Sequence, residues 1–201
     1  MRRFQWVVVV LTVSVFGSAA LVHTAAPAAA AQAGSGPVFS PVASVLELMQ
    51  ELVDPIGDEI FESVSVVITA DGSKDTQPRT DKEWFELRNK AIQLAEAGNL
   101  LKIPRPVAPL KPIPGVTPEN PGPDDLSPAQ VEFLLKRDRR AFEAFAQKLT
   151  DAALVALKAV DTRNVDGLYE AGDAIDQACE NCHLNYWYPG PTSPVRKGLP
   201  K

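Results

Sequence analysis

The chain has 201 residues, room for one ordinary domain and a short leader, with 25 acidic against 20 basic side chains and a net charge of −5. That balance argues against nucleic acid as a partner and suits a basic protein surface. Cysteine, methionine and histidine occur twice each, so a site built from them has few places to lie.

Met1-Arg2-Arg3 is a short positive start, followed by an apolar run from Trp6 to about Val22 and by Ala31-Gln32-Ala33. This pattern predicts a secretory signal over residues 1–33 and a domain over 34–201. The apolar run is short for a membrane span, so the expectation is a cleaved, periplasmic protein without stable membrane insertion. A retained anchor is the alternative. Losing Arg2 and Arg3 leaves 18 basic side chains and a net charge of −7. His183, Met49, Cys179 and Cys182 are then the histidine, methionine and cysteines that remain.

Val45, Leu48, Met49, Leu52, Ile56, Ile60, Val64 and Val67 recur at three- and four-residue steps, which predicts a first helix over about 42–69. Pro55 should kink or break it near Val53-Asp54. The β-branched stretch 64–68 could pass for a strand. With no partner run in sight, it is read as helix. Asp71-Gly72-Ser73 marks a turn. Thr80 with Glu83 is a capping box for a second helix, whose apolar face is Trp84, Leu87, Ala91, Leu94 and Ala95. Gly98-Asn99 is its expected stop.

Eight prolines between 104 and 123 forbid helix and central strand. The segment should be an extended connector long enough to cross from one end of the molecule to the other. Ser127-Pro128-Ala129-Gln130 opens a third helix, expected to run unbroken to about Val160. Asn164 can cap a fourth, carrying Leu168, Ala171, Ile175 and Ala178 towards the cysteines. Such helices bury their stripes only against one another. The expected fold is therefore all-α: a four-helix bundle with a long proline-rich connector between helices 2 and 3.

Cys179-Glu180-Asn181-Cys182-His183 is the signal for covalent c-type haem attachment. One helical turn separates the cysteines, so both sulfurs can reach one porphyrin edge. His183 lies four residues after Cys179 on the same face and can bind iron. A thioredoxin-type pair would follow a strand in a βαβ unit, a disulfide would leave His183 unexplained, and zinc needs four ligands. No phosphate loop and no Ser/His/Asp arrangement competes, and nothing suggests a catalytic carboxylate pair, so an enzyme is not expected.

In layout the chain resembles the class II cytochromes c, the group of cytochrome c′ and its low-spin relatives. The motif at Cys179–His183 carries the resemblance, with local similarity over Val45–Ile60 and Ala178–Pro189. The proline-rich connector and Pro55 depart from a compact cytochrome c′. The resemblance implies one covalent haem c and an electron carrier, with Met49 as sixth iron ligand, since low-spin relatives use a methionine on the first helix. If Met49 only packs, a five-coordinate gas-binding protein is implied instead. A haem subunit of a periplasmic oxidoreductase is a third reading. Partners would be a basic redox protein or a periplasmic dehydrogenase, and a homodimer is compatible with all three. Trp84, Tyr186, Trp187 and Tyr188 are candidate pocket walls, and Arg79 or Arg88 a candidate partner for a haem propionate.

Overall fold

The computed structural model describes residues 39–109, 111, 122 and 124–200. The expected signal over 1–33 lies outside them, as does most of the proline-rich connector.

Ser44 starts the first helix with a reciprocal cap: its hydroxyl accepts from the Glu47 N–H at 3.1 Å while its own N–H donates to Glu47 Oε2 at 2.7 Å. Helix α1, Val45–Leu48, leads into one π-helical turn, Met49–Val53, and then α2, Asp54–Phe61. The expected break at Pro55 therefore takes the form of a widened turn. Pro55 has no N–H and its ring crowds the carbonyl four residues back. The backbone opens instead, and the Asp54 N–H donates to the Met49 carbonyl five residues away.

The first helix does not continue to residue 69. Strand β1, Ser65–Thr69, pairs antiparallel with β2, Gly72–Thr76, with Val67 opposite Lys74. The β-branched run is thus a strand, and the fold is mostly helical with one small hairpin. Gly72 leaves the turn with φ of 131°, a conformation L side chains rarely adopt.

Helix α3, Asp81–Leu101, carries the expected Thr80–Glu83 capping box. It runs past the expected stop because Gly98 is a contact, not a terminus. A Cβ there would collide with Thr150 Oγ1 and lie 3.0 Å from the Ala146 carbonyl oxygen. The expected third helix is two: α4, Pro128–Arg137, and α5, Arg139–Asp161. Asp138, extended at φ −142° and ψ 79°, breaks the run, and its carboxylate caps α5 by accepting from the Ala141 N–H at 3.0 Å. Asn164 caps α6, Val165–Tyr186, through the Gly167 N–H.

Helix α3 packs on α5, α5 on α6, and α2 against both α3 and α6. Ile60, Leu94, Ala153 and Leu168 are wholly buried between them. The connector is anchored where it is described. The N–H groups of Val45 and Leu46, orphaned at a helix start, donate to the carbonyls of Pro106 and Val107 at 2.9 and 3.0 Å. Arg105 donates to the Ala43 carbonyl at 3.0 Å and the Leu100 carbonyl at 2.7 Å. At the far end the Leu126 N–H donates to the Trp187 carbonyl at 2.8 Å. Among the described residues no helix is long and apolar enough to cross a membrane.

Candidate functional site

Met49 comes from the π turn and Cys179, Cys182 and His183 from the last two turns of α6. All four line one narrow cleft with a free volume of about 20 Å³, and Val53, Leu101, Phe142, Phe145, Leu149 and Ala178 are among the other walls. Its lining is almost wholly apolar. The free space is that of about one water, so a larger group enters only as the walls move apart. The packing of α2 against α6 is what brings residues from opposite ends of the chain together. The π turn matters here, because an extra residue in the turn resets the direction of every side chain before it.

A second hollow, about 470 Å³, shares Val53, Cys179 and His183 and adds Asp54, Gly57, Asp58, Phe61, Leu94, Ile175 and Asp176. Cys179 and His183 therefore stand between an apolar side and an acidic one. The Asp54 carboxyl, open to solvent at its rim, is held above the ordinary carboxylate range by burial. His183 pulls it down and Asp58 pushes it further up.

The two thiols are free and half-buried. Burial pushes Cys179 up to about 11, with the Asp54, Asp176 and Asp58 carboxylates adding to it. Burial and then the neighbouring Cys179 push Cys182 up to about 12. Reactive or redox-exchanging cysteines have the opposite property, a thiol lowered into the thiolate range. These two are protonated side chains in an apolar wall.

His183 is oriented from two directions. Its carbonyl accepts from the N–H groups of Trp187 and Tyr188 at 2.7 and 3.0 Å, which closes α6. Its ring meets Tyr188 edge-on, with the Tyr188 hydroxyl 3.4 Å from Nδ1. That hydroxyl donates to Glu180 Oε2 at 2.6 Å, and burial followed by this bond pushes the phenol up to about 12. With Nδ1 turned to Tyr188, Nε2 is the nitrogen left for a ligand.

The aromatic candidates divide. Tyr186 supports the cleft from behind, edge-on to Phe142 and Phe145 at 5.3 and 5.7 Å. Tyr188 touches His183, whereas Trp84 and Trp187 are not among the cleft's walls. Neither are the two arginines: Arg79 pairs with Asp75 at 3.0 Å and Arg88 with Asp161 at 2.7 Å. The guanidinium near the cleft is Arg139, 5.3 Å over the Phe142 ring and bonded to the Leu101 and Lys102 carbonyls that end α3. Sequence reasoning missed Arg139, and it also missed Asp54 and Asp58. Phe142 and Phe145 stand three residues apart on one face of α5, in step with Leu149, so the sequence presents them only as an ordinary apolar stripe.

No protein-family model matches the chain, and neither does any curated protein or solved structure. The site must speak through its own chemistry. Among the described residues no group of three or more His, Cys, Asp or Glu side chains is arranged to hold a bare metal ion. The donors suit a group that brings its own equatorial nitrogens. A haem needs from the protein two thiols at one edge, axial imidazole and thioether ligands, and apolar walls. Cys179, Cys182, His183 and Met49 are donors of those kinds gathered on one apolar, phenylalanine-lined cleft, whose walls would have to part to admit a macrocycle.

Proposed function

We propose that the chain is an exported mono-haem c-type cytochrome that transfers electrons, with α2, α3, α5 and α6 as a four-helix bundle of the class II type. The observation that carries this reading is that Met49, Cys179, Cys182 and His183 line a single apolar cleft. Cys179 and Cys182 would hold the haem covalently through thioether links, and His183 through Nε2 and Met49 through its sulfur would be the protein's ligands to the iron. When bound, the haem supplies a one-electron couple that no side chain here provides. Phe142, Phe145, Leu149 and Leu101 would exclude water around it, and a methionine–histidine pair would favour a higher potential than weaker ligands do. The acidic surface steers docking to a basic donor or acceptor, such as a periplasmic dehydrogenase.

The test is expression in a host that matures c-type cytochromes. The purified protein is expected to carry one covalent haem by mass and to show a low-spin optical spectrum. Cys179→Ser with Cys182→Ser should abolish the added mass. Met49→Ala should retain it but turn high-spin and bind carbon monoxide readily when reduced, which the parent resists. A colourless wild type without added mass would overturn the reading. A Met49→Ala spectrum like the parent's would remove the methionine and favour the gas-binding alternative.

A further inference from the structure

The hairpin is the part of the molecule that the cleft does not explain. The main contact of β1 and β2 is with each other. Val66, Val67 and Ile68 are 57, 51 and 82% exposed, so apolar side chains meet water on both faces of the ribbon. A lone two-stranded ribbon is marginal in water, and natural sheets shield an open edge with lysine, proline or a bulge. Strand β1, Ser65-Val66-Val67-Ile68-Thr69, has none of these devices. The hairpin's charged strand residues, Lys74 and Asp75, are on β2.

The phase of the ladder fixes which backbone groups are free. Thr69 and Gly72 pair across a two-residue turn, so Thr69, Val67 and Ser65 turn their N–H and C=O towards β2. Those of Val66 and Ile68 point to the open edge. Among the described residues no backbone group outside the hairpin bonds to them.

We propose that this edge joins two copies of the chain, β1 pairing antiparallel with β1 of the second copy about a two-fold axis at Val67. The strand is complementary to itself in that register. Each Val66 faces Ile68 of the other copy, and the two such pairs use all four outward N–H groups and their carbonyls. Val67 faces its own equivalent in the closer, non-hydrogen-bonded position. Ser65 faces Thr69 at both ends, so polar meets polar and β-branched meets β-branched. A contact of this kind uses the same patch on both partners, as two-fold symmetry demands. The lack of charge on β1 matters in a chain of net charge −5, because carboxylates at the axis would repel. Pairing makes a four-stranded sheet, past the size at which strands sustain one another. The inference does not depend on haem.

Sedimentation equilibrium of the purified full-length exported protein, over a micromolar concentration series, tests it. Wild type is expected to dimerise. Val67→Lys and Val67→Glu should each weaken the dimer about tenfold or more, because like charges meet at the axis. Mixing the two variants should restore association as a heterodimer. Ile68→Pro removes an outward N–H without taking a bond from the hairpin, and should give a monomer with unchanged helical circular dichroism. A monomeric wild type, or variants that associate as wild type does, would overturn the proposal. So would charged variants that fail to rescue one another. A monomer whose Val66 and Ile68 amides resist hydrogen exchange would also overturn it, since another segment or protein would then cover the edge.

Discussion

At Gly98 the backbone of α3 runs close enough to α5 that no side chain fits. A Cβ would lie 3.0 Å from the Ala146 carbonyl and 3.1 Å from the Thr150 nitrogen, atoms that move only with their helix. Gly98→Ala is therefore expected to lower stability by about 1–3 kcal/mol, readable as a fall in the urea midpoint. An unchanged midpoint would mean that the two helices slide apart freely. The thiols give a second expectation, for chain produced without haem. Their ionisation is harder in the fold than in the unfolded chain, so the stability they contribute is whole below the ordinary thiol range. It is lost as pH climbs from about 8.5 towards the folded values of about 11 and 12. Denaturation midpoints should therefore fall more steeply with alkaline pH in this chain than in a Cys179→Ser, Cys182→Ser variant, and iodoacetamide should label the folded thiols slowly at neutral pH. Fast labelling there would contradict the burial argument.

Elements bounded by local chemistry were legible in the sequence. The caps at Thr80, Ser127 and Asn164 all act where their residues predict, because a cap is settled within four residues of chain. The stops and breaks were harder. Asp138 reads as one more polar residue on a helical face until its carboxylate is seen to cap α5. The hairpin was hidden because Gly72-Ser73-Lys74-Asp75-Thr76 has no strand character of its own; pairing with β1 makes it a strand. In the site, the Cys179–His183 motif could be read from spacing alone. That Met49 shares its cleft depends on the π turn, which follows from Pro55 but whose form no periodicity announces. Pro55→Ala removes the reason for that turn. An α-helical register there would rotate Met49 by about 100° relative to α2. In haem-loaded protein the expected result is partial loss of the low-spin spectrum while covalent attachment stays complete. A spectrum identical to wild type would show that the π turn has another cause.

Taken as a whole, the molecule keeps its two halves in register through helix packing. Residues 39–109 bring α1, α2 and α3, and residues 124–200 bring α4, α5 and α6. The contacts of α3 with α5 and of α2 with α6 run between the halves. So do the walls of the cleft: Met49, Val53 and Leu101 come from one, the phenylalanines, cysteines and histidine from the other. Both ends of the connector are tied down separately, at Val45–Leu46 and at Trp187. A protease site engineered at residues 112–121 should therefore yield a nicked protein whose fragments co-elute in native buffer and part only in denaturant. Fragments that separate on a sizing column would show that the connector itself holds the halves together. If they stay joined, and the chain carries haem as proposed, the protein becomes a complementation system, in which a colour carried by the C-terminal piece alone would shift on titration with the methionine-bearing piece and report their affinity directly.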